Sequence, residues 1–311
     1  MRTSFINTLE HLAEKNKNIY LLSPDMGFSV FERFRDRFPC RFINTGIAEA
    51  NTIGIAAGLA LTDKIVYVYS IVPFVTMRCF EQVRMDLCYQ DLDVRLVGVG
   101  GGLCYGPAGT SHHSLEDISI MRALPNMKVV CPGDPQETRL AIEESLKIKG
   151  PMYIRLAKNN DPVVHKGNIN FKIGKGIVIR KGRDIAIIAT GGILHNAKII
   201  ADRLAAKGIN TWLVSMHTVK PIDRGLILRI SKKVKALFTI EEHSLIGGLG
   251  SSVAEIIAEN CNKNLYFERI ALPDLYDNCV GSQRYLHQRH GLLPEQAADN
   301  ILKKLGKIRK R

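Results

Sequence analysis

Short β-branched and aromatic runs, each closed by a turn residue, alternate with longer segments of helical periodicity along most of the chain. The runs at 19–22, 41–44, 65–69, 94–99, 128–131 and 153–156 have the length and composition of strands. Between them, Phe5, Ile6, Leu9, Leu12 and Ala13 share one helical face, and residues 138–149 repeat that pattern. Helices between successive strands are the signature of crossover connections, so the alternation demands an α/β fold with parallel sheets. The rhythm breaks at 159–174, where Asn, Pro and Gly collect without a long apolar run. It resumes with strand-like runs at 185–189, 211–214 and 236–240 and a helical segment at 193–207. A small-residue helix opens at Gly247-Gly248-Leu249-Gly250. The expectation is two doubly wound α/β domains, residues 1–165 and 172–311, a division that the length of 311 residues also suits.

Composition narrows the functional classes. Hydrophobic residues make up 46% of the chain, enough for buried cores. No apolar stretch reaches the roughly 18 residues of a membrane span, and residues 1–10 lack the apolar core of a signal peptide. A cytoplasmic protein with no membrane partner is expected. The cysteines, Cys40, Cys79, Cys88, Cys104, Cys131, Cys261 and Cys279, are odd in number and widely spaced, with no Cys-x-x-Cys pair. They read as reduced thiols, with neither a disulfide framework nor a zinc site. The net charge of +13 suits phosphorylated metabolites, an acidic partner, anionic lipid or nucleic acid. Part of the excess lies in a tail holding Lys303, Lys304, Lys307, Arg309, Lys310 and Arg311. No aromatic residues interleave there, so nucleic acid is not an expected partner.

Chemistry centres on Asn44-Thr45-Gly46-Ile47-Ala48-Glu49-Ala50-Asn51, where a strand ends, a glycine turn follows and a helix begins near Glu49. Ligands of open parallel sheets sit at the carboxyl ends of strands, yet an acid in a first helical turn also satisfies the helix dipole. Position alone leaves both readings open. The longer pattern adds to it. Gly46-Ile47-Ala48-Glu49, followed by Gly54-Ile55-Ala56-Ala57-Gly58-Leu59-Ala60, resembles the pyrimidine-binding domain of transketolases. Phe74 with Arg78 and Glu81-Gln82-Val83-Arg84, Gly106-Pro107 through His112, Glu116-Asp117-Ile118 and Met121 through Met127 match in order and spacing. In the second half, Val214 through Pro221 and Glu241 through Ser251 are similar to segments of the same family.

The resemblance implies a pyrimidine-binding fold followed by a transketolase C-terminal-like domain. It implies thiamine diphosphate and Mg²⁺ as cofactors, and transfer of a two-carbon ketol unit from a ketose phosphate to an aldose. Glu49 becomes the carboxylic acid that pairs with the cofactor's far pyrimidine nitrogen and favours its imino tautomer. Phe74 is the candidate ring against the pyrimidine, although a core Phe beside a helix would look the same. Asp25 corresponds to a position close to the cofactor, Ser29 and Lys158 to positions that bind a substrate phosphate, and His112 to the substrate-site histidine. His112 is therefore a catalytic candidate with Glu49.

The sequence also departs from the family. Gly100 stands where relatives carry a histidine and Ala108 where they carry an aspartate, both of which bond sugar hydroxyls. A roomier, less polar pocket and a deoxygenated, bulkier or differently substituted sugar follow as expectations. The Gly-Asp-Gly motif of the diphosphate domain does not occur; Gly133-Asp134 runs into Pro135 in a helix-start context. The metal is therefore expected in a partner, an N-terminal subunit carrying the diphosphate domain, in an α2β2 assembly. Rival readings are the β-subunit of a 2-oxoacid dehydrogenase, the C-terminal half of deoxyxylulose phosphate synthase, and a non-catalytic partner-binding subunit.

Overall fold

A computed structural model describes residues 1–27, 29–158, 161–260 and 265–308. Asn159 and Asn160 of the expected linker, Cys261 and the tail residues Arg309, Lys310 and Arg311 lie outside the described residues. The described strands are β1 Ile19–Ser23, β2 Phe42–Asn44, β3 Ile65–Ile71, β4 Val94–Val99, β5 Lys128–Val130 and β6 Met152–Leu156, then β7 Ile177–Arg180, β8 Ile185–Ala189, β9 Thr211–Ser215, β10 Thr218–Lys220, β11 Ala236–Ser244 and β12 Tyr266–Leu272. They form a seven-stranded sheet in the order β10-β5-β6-β4-β3-β1-β2 and a five-stranded sheet in the order β12-β11-β8-β9-β7. Every pairing is parallel except those of the edge strands β10, against β5, and β7, against β9. The architecture is the two α/β units that the alternation requires.

The central strands are buried on both faces, as parallel sheets covered by helices must be. On β3, Val66 and Val68 pack to one side with Ile53, Leu96 and Val129. Tyr67, Tyr69 and Ile71 pack to the other with Phe5, Leu9, Val97 and Ile154. This period of two places the helix Glu49–Ala60 on one face and the helices Arg2–Lys15 and Pro135–Ser145 on the opposite one. The last helix starts where Asp134 accepts the Glu137 amide and Pro135 follows, so Gly133-Asp134 is a helix cap here. The second sheet repeats the plan, with Ile187 and Phe238 on one face and Ile188 and Leu237 on the other.

Three strands are hidden from sequence patterning. β10 is three residues long, β7 is a half-buried edge, and β12 carries Glu268 and Arg269 inside its run. β11 also continues past the expected end through Glu241, Glu242 and His243, all buried.

β10 comes from the second half of the chain but completes the first sheet. The junction is reinforced by Cys131, whose N–H donates to His217 O at 2.6 Å and whose carbonyl accepts from Gly191 N at 3.0 Å. Beside it the His217 ring stacks on Phe171 at 3.9 Å. Glu137 accepts from Gly133 N and lies 2.6 Å from His165 Nε2. Burial drives the His217 pKa down to about 4. For His165, burial works against the proton, but the Glu137 carboxylate outweighs it and raises the pKa. The two histidines therefore act in opposite senses on stability. A folded-state pKa below the unfolded one means that the unfolded chain takes up the His217 proton first as pH falls below about 6.5. Urea denaturation at about pH 7.5 and pH 5 is expected to show the wild type losing about 2 kcal/mol more than His217→Asn over that interval. Equal losses would remove His217 from the pH response.

Candidate active site

β2 ends at Asn44, Gly46 turns the chain at φ +71°, and the helix Glu49–Ala60 begins. Glu49 is 4% exposed at this carboxyl edge of the sheet. Arg78 Nη1 donates to both Glu49 oxygens at 2.9 Å, and the same guanidinium lies 4.1 Å over the Phe74 ring. Phe74 meets the His112 ring edge-on at 5.3 Å, His112 lies 6.1 Å from Tyr105, and Lys158 Nζ lies 4.4 Å over Tyr105. A continuous row thus runs from Glu49 through Arg78, Phe74, His112 and Tyr105 to Lys158. Its members follow β2, β3, β4 and β6, so parallel strands deliver residues distant in sequence to one edge.

Of the six candidate residues read from sequence, the row unites Glu49, Phe74, His112 and Lys158. Asp25 and Ser29 stand apart on the loop after β1. Asp25 sits at φ +53°, its N–H donates to Asn44 Oδ1, and its carboxylate accepts from Asn44 Nδ2 at 3.0 Å. It lines a surface cavity with Gly27, Arg35 and Asn44. Ser29 is exposed, and its N–H donates to Glu32 Oε1. Among the described residues no hydrogen bond or ring contact links either to the row. Arg78, which the sequence offers only as part of a matching segment, and Tyr105 are members to which sequence reasoning assigns no role. The consecutive glycines Gly100, Gly101 and Gly102 are the one available signal for what lies around them.

Those glycines admit three larger groups. A Cβ at Gly101 would lie 2.6 Å from the Arg155 guanidinium, and one at Gly102 would lie 2.6 Å from the Glu242 side chain. At Gly100, where φ is +83°, a Cβ would lie 2.1 Å from the Tyr105 ring. The roomier pocket expected at Gly100 is therefore corrected: the Tyr105 ring takes that volume. Ala108 is exposed on a 3₁₀ turn.

The loop from β4 to the helix Asp117–Ala123 is held from beneath. Arg155 Nε donates to Asp117 Oδ2 at 2.7 Å, while Arg155 Nη2 donates to the Ser114 and Glu242 carbonyls. Tyr153 OH donates to the same Asp117 oxygen at 2.6 Å. Burial alone would raise the Asp117 pKa, but the Arg155 charge more than offsets it and holds the carboxyl below its usual range. Glu242 accepts from Leu103 N at 2.7 Å and Gln283 Nε2 at 2.9 Å, with His287 Nε2 at 3.0 Å. Its neighbour Glu241 accepts from Leu249 N and Gly250 N at 2.7 Å and so caps the helix Leu249–Glu259. The Gly247-Gly248-Leu249-Gly250 string is thus explained by packing, since a Cβ at Gly248 would lie 2.1 Å from Glu241.

Two thiols near the site stay protonated. Burial, reinforced by the Glu49 charge, pushes Cys79 up to about 12, and burial pushes Cys104 higher still. Among the described residues no group of three or more His, Cys, Asp or Glu side chains is placed to hold a metal ion.

Known proteins are similar to this chain. A model of the transketolase pyrimidine-binding domain matches residues 1–163, and one of the transketolase C-terminal domain matches 174–296. The chain is 38% identical over 297 residues to a 6-deoxy-6-sulfo-D-fructose transketolase subunit of Clostridium sp. (strain MSTE9), covering 95% of this chain and 91% of that one. It is 35% identical over 269 residues to an apulose-4-phosphate transketolase subunit of Actinobacillus succinogenes, covering 86% of each. A solved structure described as a split gene transketolase, inactive β4 tetramer, superposes with a TM-score of 0.87 at 35% identity, covering 97% of this chain and 96% of that one.

Removing one partner of a buried ion pair leaves the other charge uncompensated. Asp117→Ala is therefore expected to cost about 3–5 kcal/mol in denaturant unfolding. It should also expose the loop at 100–116 to limited proteolysis. Unchanged stability would show that Arg155 is satisfied by the carbonyls alone.

Proposed function

The chain belongs to the transketolase family, and from that premise we propose that it transfers a two-carbon ketol unit from a ketose phosphate to an aldose as the C-terminal subunit of a two-chain transketolase. The observation that carries this reading is the buried Glu49 carboxyl at the sheet edge, joined through Arg78 and Phe74 to His112.

A buried carboxyl beside an aromatic ring suits the aminopyrimidine half of thiamine diphosphate, one group offering a hydrogen-bond partner and the other a stacking face. When bound, that cofactor supplies the electron sink for carbon–carbon bond cleavage. Glu49 would hold a proton at the far pyrimidine nitrogen. Arg78, with a side chain 46% exposed, can turn into solvent to free the carboxyl. Phe74 would flank the ring, and Asp25 would stand near the cofactor from the β1 loop. His112, half-buried with Nδ1 3.0 Å from Ser111 Oγ, would exchange protons with substrate hydroxyls. Lys158, at one end of the row, and Ser29 would bind the substrate's phosphate. The Mg²⁺ and diphosphate would be held by an N-terminal partner subunit in an α2β2 assembly. Residues 1–165 would form the pyrimidine-binding domain and 172–311 a domain serving mainly assembly. Among the described residues no helix is long and apolar enough to cross a membrane, which is compatible with a cytoplasmic setting.

Two measurements test this. The chain alone is expected to show no ketol transfer and to gain it when mixed with a partner bearing the diphosphate domain. Activity without a partner would overturn the two-chain reading. In the mixed complex, Glu49→Gln should lower turnover by about 10²- to 10⁴-fold while assembly, read by size-exclusion chromatography, is unchanged. Full activity in that variant would remove Glu49 from the chemistry.

A further inference from the structure

Two arginines near the site each neutralise a buried carboxylate, and they are held in different ways. Arg155 is buried, and its Nε and Nη2 are tied to Asp117 and to two carbonyls. The Arg78 side chain is 46% exposed, and Nη1 alone donates, to both oxygens of Glu49. Among the described residues Arg78 Nε and Nη2 have no hydrogen-bond partner. Glu49 is also its one carboxylate within 4.0 Å there, since Glu81 pairs with Arg84. The rest of its seat is the face of Phe74, with Cζ 4.1 Å from the ring centroid. The Arg78 backbone is anchored, its N–H donating to the Pro73 carbonyl at 3.3 Å, so the side chain is the part free to move. Glu49 is not free in this way, being buried in the first turn of its helix.

A guanidinium is planar, with N–H groups along its edge and a delocalised face. Arg78 uses the edge on a carboxylate and the face on a phenyl ring. Those are the two contacts that the reading above assigns to the aminopyrimidine ring of thiamine diphosphate, and two planar groups cannot share one edge and one face. Resting on that reading, we infer that Arg78 is a placeholder for the aminopyrimidine: its guanidinium takes the ring's seat in the cofactor-free chain and is displaced on binding. While the seat is vacant, Arg78 keeps the buried Glu49 charge paired, which would otherwise be costly. The same contacts must break before the cofactor can sit, so they subtract from its affinity. An exposed ion pair and a cation over a phenyl face are each worth up to about 5-fold in an equilibrium constant, a latch weak enough to open.

The test measures the calorimetric Kd for thiamine diphosphate in the complex with a partner bearing the diphosphate domain. Arg78→Ala is expected to bind about 10-fold more tightly than the wild type, through loss of the competing pair and stack. Combined with Glu49→Gln, which removes the charge that Arg78 seeks, the same substitution should gain about three-fold or less. A second readout needs no cofactor. On the full chain alone, Arg78→Ala should lower the urea midpoint, and millimolar methylguanidinium, a free copy of the deleted group, should restore it while leaving the wild type unmoved. Equal or weaker binding by Arg78→Ala, a gain undiminished beside Glu49→Gln, or no recovery with methylguanidinium would each overturn the inference. If the wild-type complex bound no thiamine diphosphate, the cofactor reading would fail instead, and the methylguanidinium recovery would still decide whether the seat takes a planar cation.

Discussion

Arg155 carries a positive charge in an almost fully buried position, and the shape of the loop above the sheet follows from the groups that neutralise it. A buried guanidinium without partners would be prohibitively costly. Here the Ser114 carbonyl arrives from the loop after β4, the Asp117 carboxylate from the start of the helix that follows, and the Glu242 carbonyl from β11 in the second sheet. One side chain on β6 therefore fixes the loop that carries Tyr105 and His112 and also ties the two halves of the molecule together. Glu242 extends the tie, because its side chain holds Leu103 N on one side and Gln283 on the other. The three consecutive glycines are the steric counterpart of this arrangement, since larger residues would push the loop off its supports.

The row from Glu49 to Lys158 is a product of topology more than of local sequence. Its members follow four different strands, and only a parallel sheet brings their carboxyl ends to one edge. Membership of the transketolase family gives that edge a chemical meaning. The geometry adds a graded surface: a buried acid paired with Arg78 at one end, a lysine at the other and aromatic rings between. The net charge of +13 favours anionic ligands in general.

Much of this is legible in the sequence, and the rest has identifiable physical reasons for being hidden. Strands such as β1 and β8 are short apolar runs, and sequence patterning finds them. β12 is not, because Glu268 and Arg269 interrupt it, and β10 is too short to carry a pattern. Glu49 and His112 stand out because they lie in a motif-rich segment. Tyr105 does not, because its placement depends on the absence of a side chain at Gly100, five positions earlier. A vacancy in the sequence reads as a vacancy in the pocket, but a neighbouring ring fills it. Asp117 and Arg155 are similarly opaque, since nothing local announces that two charged residues 38 positions apart will be buried against each other. The Gly247–Gly250 string is the converse case: conspicuous in sequence, yet accounted for by the Glu241 cap.

The borrowed strand β10 makes the two halves unequal as folding units. The first half alone would end in β5 with one side bare, offering unpaired N–H and C=O groups along an edge flanked by buried valines. Exposed edges of this kind recruit strands from other molecules. Lending a strand across the junction closes that edge with the chain's own segment and blunts the new edge with Lys220. A gene fragment cut between the two sheets would therefore yield a sticky product rather than a working domain. In this chain the shared edge therefore couples the two units as folding partners.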